Sequence, residues 1–223
     1  MTHHKIKTKT ITQEPDFWTK ERIASSQPLD ALTRNVENNE IIVSPVDEPF
    51  SKFKNENFNN LPNAAMGRLQ AKTPYGDSFS SAQFVHPKVL LTARHCVMDE
   101  QNKPFSRITF LHQYNGDSYK ELFNITNTFY PSKSLNTNID YAFCLVDKKF
   151  TGKYLKILQA PNKSTVHKNI VNLGYPSNFS GRLACANGAY SYDVNKQGRK
   201  VTFLTKEQFT MWKGASGGAW VVN

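Results

Sequence analysis

Beyond about residue 62 the chain is written in short apolar runs separated by turn residues. Lys88–Thr92, Arg107–Tyr114, Leu122–Tyr130, Tyr141–Val146, Asn169–Leu173, Leu183–Val194, Val201–Leu204 and Ala219–Val222 each read as a strand. Asn115-Gly116-Asp117, Pro131-Ser132, Pro176-Ser177-Asn178, Asn187-Gly188 and Gln197-Gly198 read as the turns between them. Many short strands at such intervals, with no long amphipathic helix, predict an all-β body, a sandwich or barrel rather than an alternating βαβ sheet. Upstream the pattern is polar and broken. Asp16–Leu32 predicts one short helix with Trp18, Ile23 and Leu29 as its apolar points, and Asn35–Leu61, crowded with Asn, Glu, Pro and Lys, reads as linker. The expected organisation is an extension and linker over residues 1–60 and a β domain over 61–223.

Composition changes this picture little: 223 residues at 39% hydrophobic content suffice for a substantial core. Charge changes it more. Residues 1–60 hold 8 basic and 9 acidic side chains, whereas residues 61–223 hold 20 and 9, so the β domain carries a net +11. Such a field draws acidic partners, but no Lys/Arg block with interleaved aromatics stands out, and no specific nucleic-acid partner is expected. No apolar run approaches the ~20 residues of a membrane-spanning helix, and none is expected. The first forty residues lack the apolar core of a secretory signal. Three cysteines, Cys96, Cys144 and Cys185, allow at most one disulfide and lack zinc-site spacing, so neither a metal nor an organic cofactor is expected.

Three short motifs carry the candidate chemistry. Lys213-Gly214-Ala215-Ser216-Gly217-Gly218-Ala219 sets a serine among glycines, Leu90-Leu91-Thr92-Ala93-Arg94-His95-Cys96 delivers a histidine from an apolar strand into a turn, and Asn138-Ile139-Asp140-Tyr141-Ala142-Phe143 sets an aspartate at the mouth of another strand. Each alone reads as an ordinary turn, packing residue or cap. Together, in the order His, Asp, Ser at steps of 45 and 76 residues, they supply the parts of acyl transfer: Ser216 as nucleophile, His95 as general base, Asp140 to orient the imidazole, and the N–H groups of Gly214 and Ser216 as oxyanion donors. The Gly214-to-Gly218 stretch also matches the GxSxG pattern of α/β-hydrolases, but there the acid and histidine follow the serine, and none follows Ser216 here. His86, His112 and His167 read as surface or packing residues, and His3 and His4 as part of a tail.

On LTARHC around His95, DYAF at Asp140, GASGGA at Ser216, the Gly174-Tyr175-Pro176 turn and the 76-residue step from Asp to Ser, the sequence resembles the chymotrypsin-like serine peptidases over residues 62–223. Within them it is most similar to the bacterial-type glutamyl endopeptidase (V8-like) branch. The resemblance implies two Greek-key β-barrels with a cleft between them, protein or peptide substrates, a lean towards acidic residues, and export. Phe17–Pro28 is similar to a propeptide segment of secreted members, which implies a zymogen.

Where the sequence departs from the family, further expectations follow. Ala215 stands where chymotrypsin-type zymogens use an Asp to bind a freed N-terminus, and Ser80 stands where the partner of the usual loop disulfide would be, leaving Cys96 as a free buried thiol. The base of the specificity pocket is expected at Thr210 and Met211, with no acid to attract Lys or Arg. A cut between Glu40 and Ile41 would create an apolar N-terminus. Because the sequence stops at Asn223, the second barrel is expected to lack its C-terminal strands. The rival reading is a catalytically inactive peptidase-like module that binds protein; oligomeric state is not fixed by the sequence.

Overall fold

The computed structural model describes residues 6–29, 58–131, 140–158, 165–195, 198–204 and 213–222. In chain order the elements are β1 (Ile6–Thr10), α1 (Lys20–Ser25), β2 (Gln27–Pro28), β3 (Met66–Thr73), β4 (Gly76–His86), β5 (Val89–Thr92), β6 (Ser106–His112), β7 (Glu121–Pro131), β8 (Ala142–Val146), β9 (Thr165–Gly174), β10 (Ala184–Asn195), β11 (Gly198–Leu204) and β12 (Ala219–Val222). Six strands close a barrel: β3, β4, β5, β8, β7 and β6 pair antiparallel in that cycle, and β6 returns to β3. The second unit is a four-stranded antiparallel sheet, ordered β11-β10-β9-β12. The expected all-β body is therefore present, with one closed barrel and an open sheet where the second barrel was expected incomplete.

The barrel closes around side chains that alternate as the pleat demands. Along β8, buried Ala142, Cys144 and Val146 alternate with half-buried Phe143 and Leu145. Phe84 meets Phe110 and Phe123 edge-on, with centroids 5.2 and 5.0 Å apart, and stacks on Phe150 at 4.0 Å. His112 sits in this cluster and donates from Nε2 to the Ala64 carbonyl at 2.8 Å. Burial pushes its pKa down, so the ring packs as a neutral residue. His86, in contrast, is exposed. Both were read as surface or packing histidines; the side chain of His167 is not described.

Strands β3 and β4 have no counterpart among the predicted segments. Their sequences, MGRLQAKT and GDSFSSAQFVH, put Arg68, Gln70, Ser78, Ser80, Ser81 and Gln83 at buried positions. Several of these polar groups are accommodated by local hydrogen bonds, such as Ser78 Oγ to the Ala71 carbonyl at 3.1 Å, whereas Gln83 Oε1 is buried with no partner among the described residues; the strands are covered on both faces without being apolar. The predicted turn at Asn187-Gly188 is corrected: both residues lie inside β10, which takes a register shift between Gly188 and Ala189. The Asn115 turn is present, with Asn115 Oδ1 accepting from the N–H groups of Asp117 and Ser118.

Residues 6–29 are woven into the first unit. β1 pairs with β7, β2 pairs with β4 in parallel, and α1 lies within the predicted helical stretch, its N-terminus capped by Thr19 Oγ1 accepting from Arg22 N–H at 3.3 Å. Trp18, Ile23 and Leu29, the three apolar points read from the sequence, are all buried, each such burial contributing ~1.5–3 kcal/mol. Residues 30–57, which hold most of the predicted linker together with Glu40 and Ile41, lie outside the described residues. A second apolar cluster joins barrel, sheet and extension: Met66, Leu111 and Tyr114 meet Leu173, Tyr175, Leu183, Cys185 and Ala219, with Trp18 and Ile23. None of the three cysteines is in a disulfide, and all three are buried.

Candidate active site

The register of the barrel brings the histidine and the aspartate together. Thr92 pairs with Ala142 across β5 and β8, so the chain leaving β5 and the chain entering β8 emerge at the same end. His95 lies three residues past that pair, in a 3-10 turn spanning Arg94–Cys96, and Asp140 lies two residues before it. The His95 ring donates from Nδ1 to Asp140 Oδ2 at 2.6 Å, and the His95 backbone N–H donates to Asp140 Oδ1 at 3.0 Å. Both carboxylate oxygens are thus engaged by one residue, which leaves the imidazole little rotational freedom. The two side chains are 32% and 41% exposed, although His95 Nε2 itself is buried. Burial pushes the Asp140 carboxyl up, but the hydrogen bonds and charge of His95, with the Arg94 backbone, outweigh it and hold the group below the ordinary carboxylate range. Asp140 is ionised at neutral pH, a standing acceptor for Nδ1–H.

Ser216 arrives from the second sheet, in the turn that precedes β12, and is half-buried. Its carbonyl accepts from the Ser81 backbone N–H at 2.8 Å, which docks the turn on β4 of the barrel. Gly217, at φ +81°, passes so close to Thr92 Oγ1, the Ser81 carbonyl and the Ala93 nitrogen that any Cβ there would collide with them. The backbone beside Ser216 is therefore pressed against the residues that lead into the His95 turn. Gly214, at φ +96°, is closed in by the Phe79 ring and the Tyr175 carbonyl. The turn is completed by Gly218 N–H donating to the Ala215 carbonyl at 3.0 Å.

Neither a protein-family model nor a curated protein sequence matches the chain. Solved structures do. A thermostable serine protease, AL20, from an extremophilic microorganism is 20% identical, with a TM-score of 0.57 over 71% of this chain and 78% of its own. A Glu endopeptidase in complex with MPD is 20% identical, with a TM-score of 0.56 over 76% and 79%. A scabies mite inactivated protease paralogue is 12% identical, with a TM-score of 0.51 over 70% and 77%. The chain has the chymotrypsin-like fold.

Within that chymotrypsin-like frame, a residue that lies in none of the sequence motifs ties the two units together. Ser81, fully buried on β4, makes four hydrogen bonds, two of them to the Ser216 turn. Its Oγ donates to the Gly214 carbonyl at 2.9 Å and accepts from the Tyr175 N–H at 2.8 Å; its backbone N–H holds the Ser216 carbonyl; and its own carbonyl accepts from Thr92 Oγ1 at 2.8 Å. The carbonyls of Gly214 and Ser216 are both pinned by this one residue. The signal in the sequence was faint: Ser78-Phe79-Ser80-Ser81 is too polar to read as a buried strand. Thr210 and Met211, expected at the base of a specificity pocket, lie outside the described residues. Among the described residues no cluster of His, Cys, Asp or Glu is arranged to hold a metal ion.

Proposed function

We propose that this protein is a serine endopeptidase that hydrolyses peptide bonds through an acyl-enzyme on Ser216. The observation that carries the reading is the two-point grip of His95 on Asp140 beside a Ser216 turn hydrogen-bonded to the same barrel wall. In the proposed reaction, His95 Nε2 takes the proton of the Ser216 hydroxyl as Oγ attacks the substrate carbonyl. Asp140 fixes the tautomer that leaves Nε2 as the base and stabilises the imidazolium. The N–H groups of Gly214 and Ser216 receive the oxyanion, each such donor being worth ~3 kcal/mol of barrier. The imidazolium then protonates the leaving amine, and a water repeats the sequence to release the acid. None of these steps requires a cofactor.

Acidic substrates fit the reading. Residues 61–223 carry +11, and a Glu endopeptidase is among the structures with this fold. Hydrolysis of quenched peptide pools that differ only in the residue before the scissile bond tests both parts: cleavage by the wild type, lost in Ser216→Ala and fastest on the Glu pool, is expected. Cleavage that survives in Ser216→Ala contradicts the mechanism, and equal rates on all pools contradict the preference alone. The alternative, a protein-binding module without activity, is favoured by the likeness to an inactivated protease paralogue, and predicts no cleavage of any pool by folded protein.

A further inference from the structure

The sequence likeness of Phe17–Pro28 to propeptides would make the extension a piece to be discarded. We infer instead that residues 6–29 are a permanent part of the folded body, retained as a noncovalent second chain when the linker over residues 30–57 is cut. The inference concerns assembly, goes beyond the peptidase reading, and does not rest on it.

The extension is held by three independent kinds of contact. The first is sheet pairing: β1 runs five residues alongside β7, from Ile6 opposite Pro131 to Thr10 opposite Asn127, and β2 adds to β4 at Ser78 and Phe79. Ile11 N–H continues the first ladder to the Thr126 carbonyl at 2.8 Å, and Gln13 Nε2 donates to the carbonyls of Ile108 and Ile125. The second is apolar burial. Leu29 is 1% exposed and belongs to the barrel core itself, while Trp18 and Ile23 belong to the cluster that joins barrel and sheet. The third is polar and specific: Trp18 Nε1 donates to the Arg107 carbonyl at 2.6 Å, and Arg22 grips Asp77 with two hydrogen bonds of 2.8 and 2.9 Å.

Arg68 makes release still harder. This guanidinium is 3% exposed, lies over the faces of Phe79 and Tyr114 at 3.9 and 4.7 Å, and takes part in no ion pair among the described residues. Two of its oxygen partners come from the extension, the Ile23 carbonyl at 3.2 Å and Ser26 Oγ at 2.6 Å; Gln70, in the amide orientation that suits its neighbours, supplies another. Withdrawing residues 6–29 would strip a buried cation of the two acceptors that the extension supplies. It would also undercut Phe79, which borders both Gly181 and Gly214. The extension therefore supports the Gly214 turn through Arg68 and Phe79.

The test places a recognition sequence for a site-specific protease after Asn39, cuts the full-length protein, and follows the pieces by size exclusion and intact mass. The expected result is one species holding both fragments in equal amounts, separable only in denaturant. Exchange against a labelled peptide spanning residues 1–39 then reports the strength of the grip, and Arg22→Ala, milder than Ile23→Asp, should speed exchange at least fivefold. Elution of a free N-terminal fragment from a still folded body would overturn the inference, and so would collapse of the protein on cutting. Absence of peptidase activity in the same sample would bear only on the function proposed above.

Discussion

His95 and Asp140 are fixed within one closed barrel, whereas the Ser216 turn has two of its carbonyls held from the neighbouring unit. In the barrel, the pairing of Thr92 with Ala142 sets the approach of the two side chains, and both strands are enclosed on either side by other strands. In the sheet, β12, which follows the Ser216 turn, pairs with β9, but Ser81 on β4 pins the Gly214 and Ser216 carbonyls. The Ser216 turn is thus shaped in part by the barrel. Chymotrypsin-type zymogens are expected to use an Asp beside the nucleophile for such a lock; here Ala215 cannot provide one, and Ser81 supplies a contact already present in the uncut chain.

Substitutions that act within the barrel and across the cleft should separate these two kinds of support. The largest effect is expected from Asp140→Asn, which keeps the shape but loses the tautomer control, lowering kcat ~10⁴-fold in the peptide assay. Gly217→Ala comes next. Its Cβ collides with Thr92 and Ser81, so the turn must lift off the barrel, with kcat falling ~10²-fold and KM rising. Ser81→Ala leaves the Tyr175 N–H and the Gly214 carbonyl without their hydroxyl partner while keeping the backbone bond to Ser216. It should cost ~1–3 kcal/mol in denaturant unfolding and roughly tenfold in kcat, with KM nearly unchanged. An unaltered kcat in Ser81→Ala would mean that the turn is shaped by its own sheet.

The smallest effect belongs to the barrel interior alone. His112 is neutral when folded and has a lowered pKa, so the unfolded chain takes up its proton first. The stability it contributes is full above about pH 6.5 and declines as the pH falls from there towards its lowered native value. The share due to Asp140, whose carboxyl is also held down, is lost in a separate window, as pH falls through the native value below 3.8. Denaturant melts from pH 8 to pH 5 should show the first decline, and His112→Gln should flatten it.

Much of this arrangement was legible in the sequence, and the reason differs by region. Strands such as β8, a continuous apolar run, announce themselves, and so do His95, Asp140 and Ser216, the residues of the proposed mechanism, which sit in short motifs of unusual composition. β3 and β4 were not legible: enclosed on both faces, yet stocked with Ser, Gln and Arg, they are too polar to stand out as apolar runs. Ser81 was hidden with them. The contacts of Trp18, Ile23 and Leu29 were half legible, since their apolar character showed that something would cover them but not that the covering surface was the barrel.

The proposed chemistry is tested most directly by labelling the folded, full-length protein with a fluorophosphonate and locating the adduct by peptide mass spectrometry. The account predicts a single adduct on Ser216, formed quickly in the wild type, strongly slowed in Asp140→Asn and absent in Ser216→Ala. No adduct on folded protein, or an adduct that persists in Ser216→Ala, would contradict it.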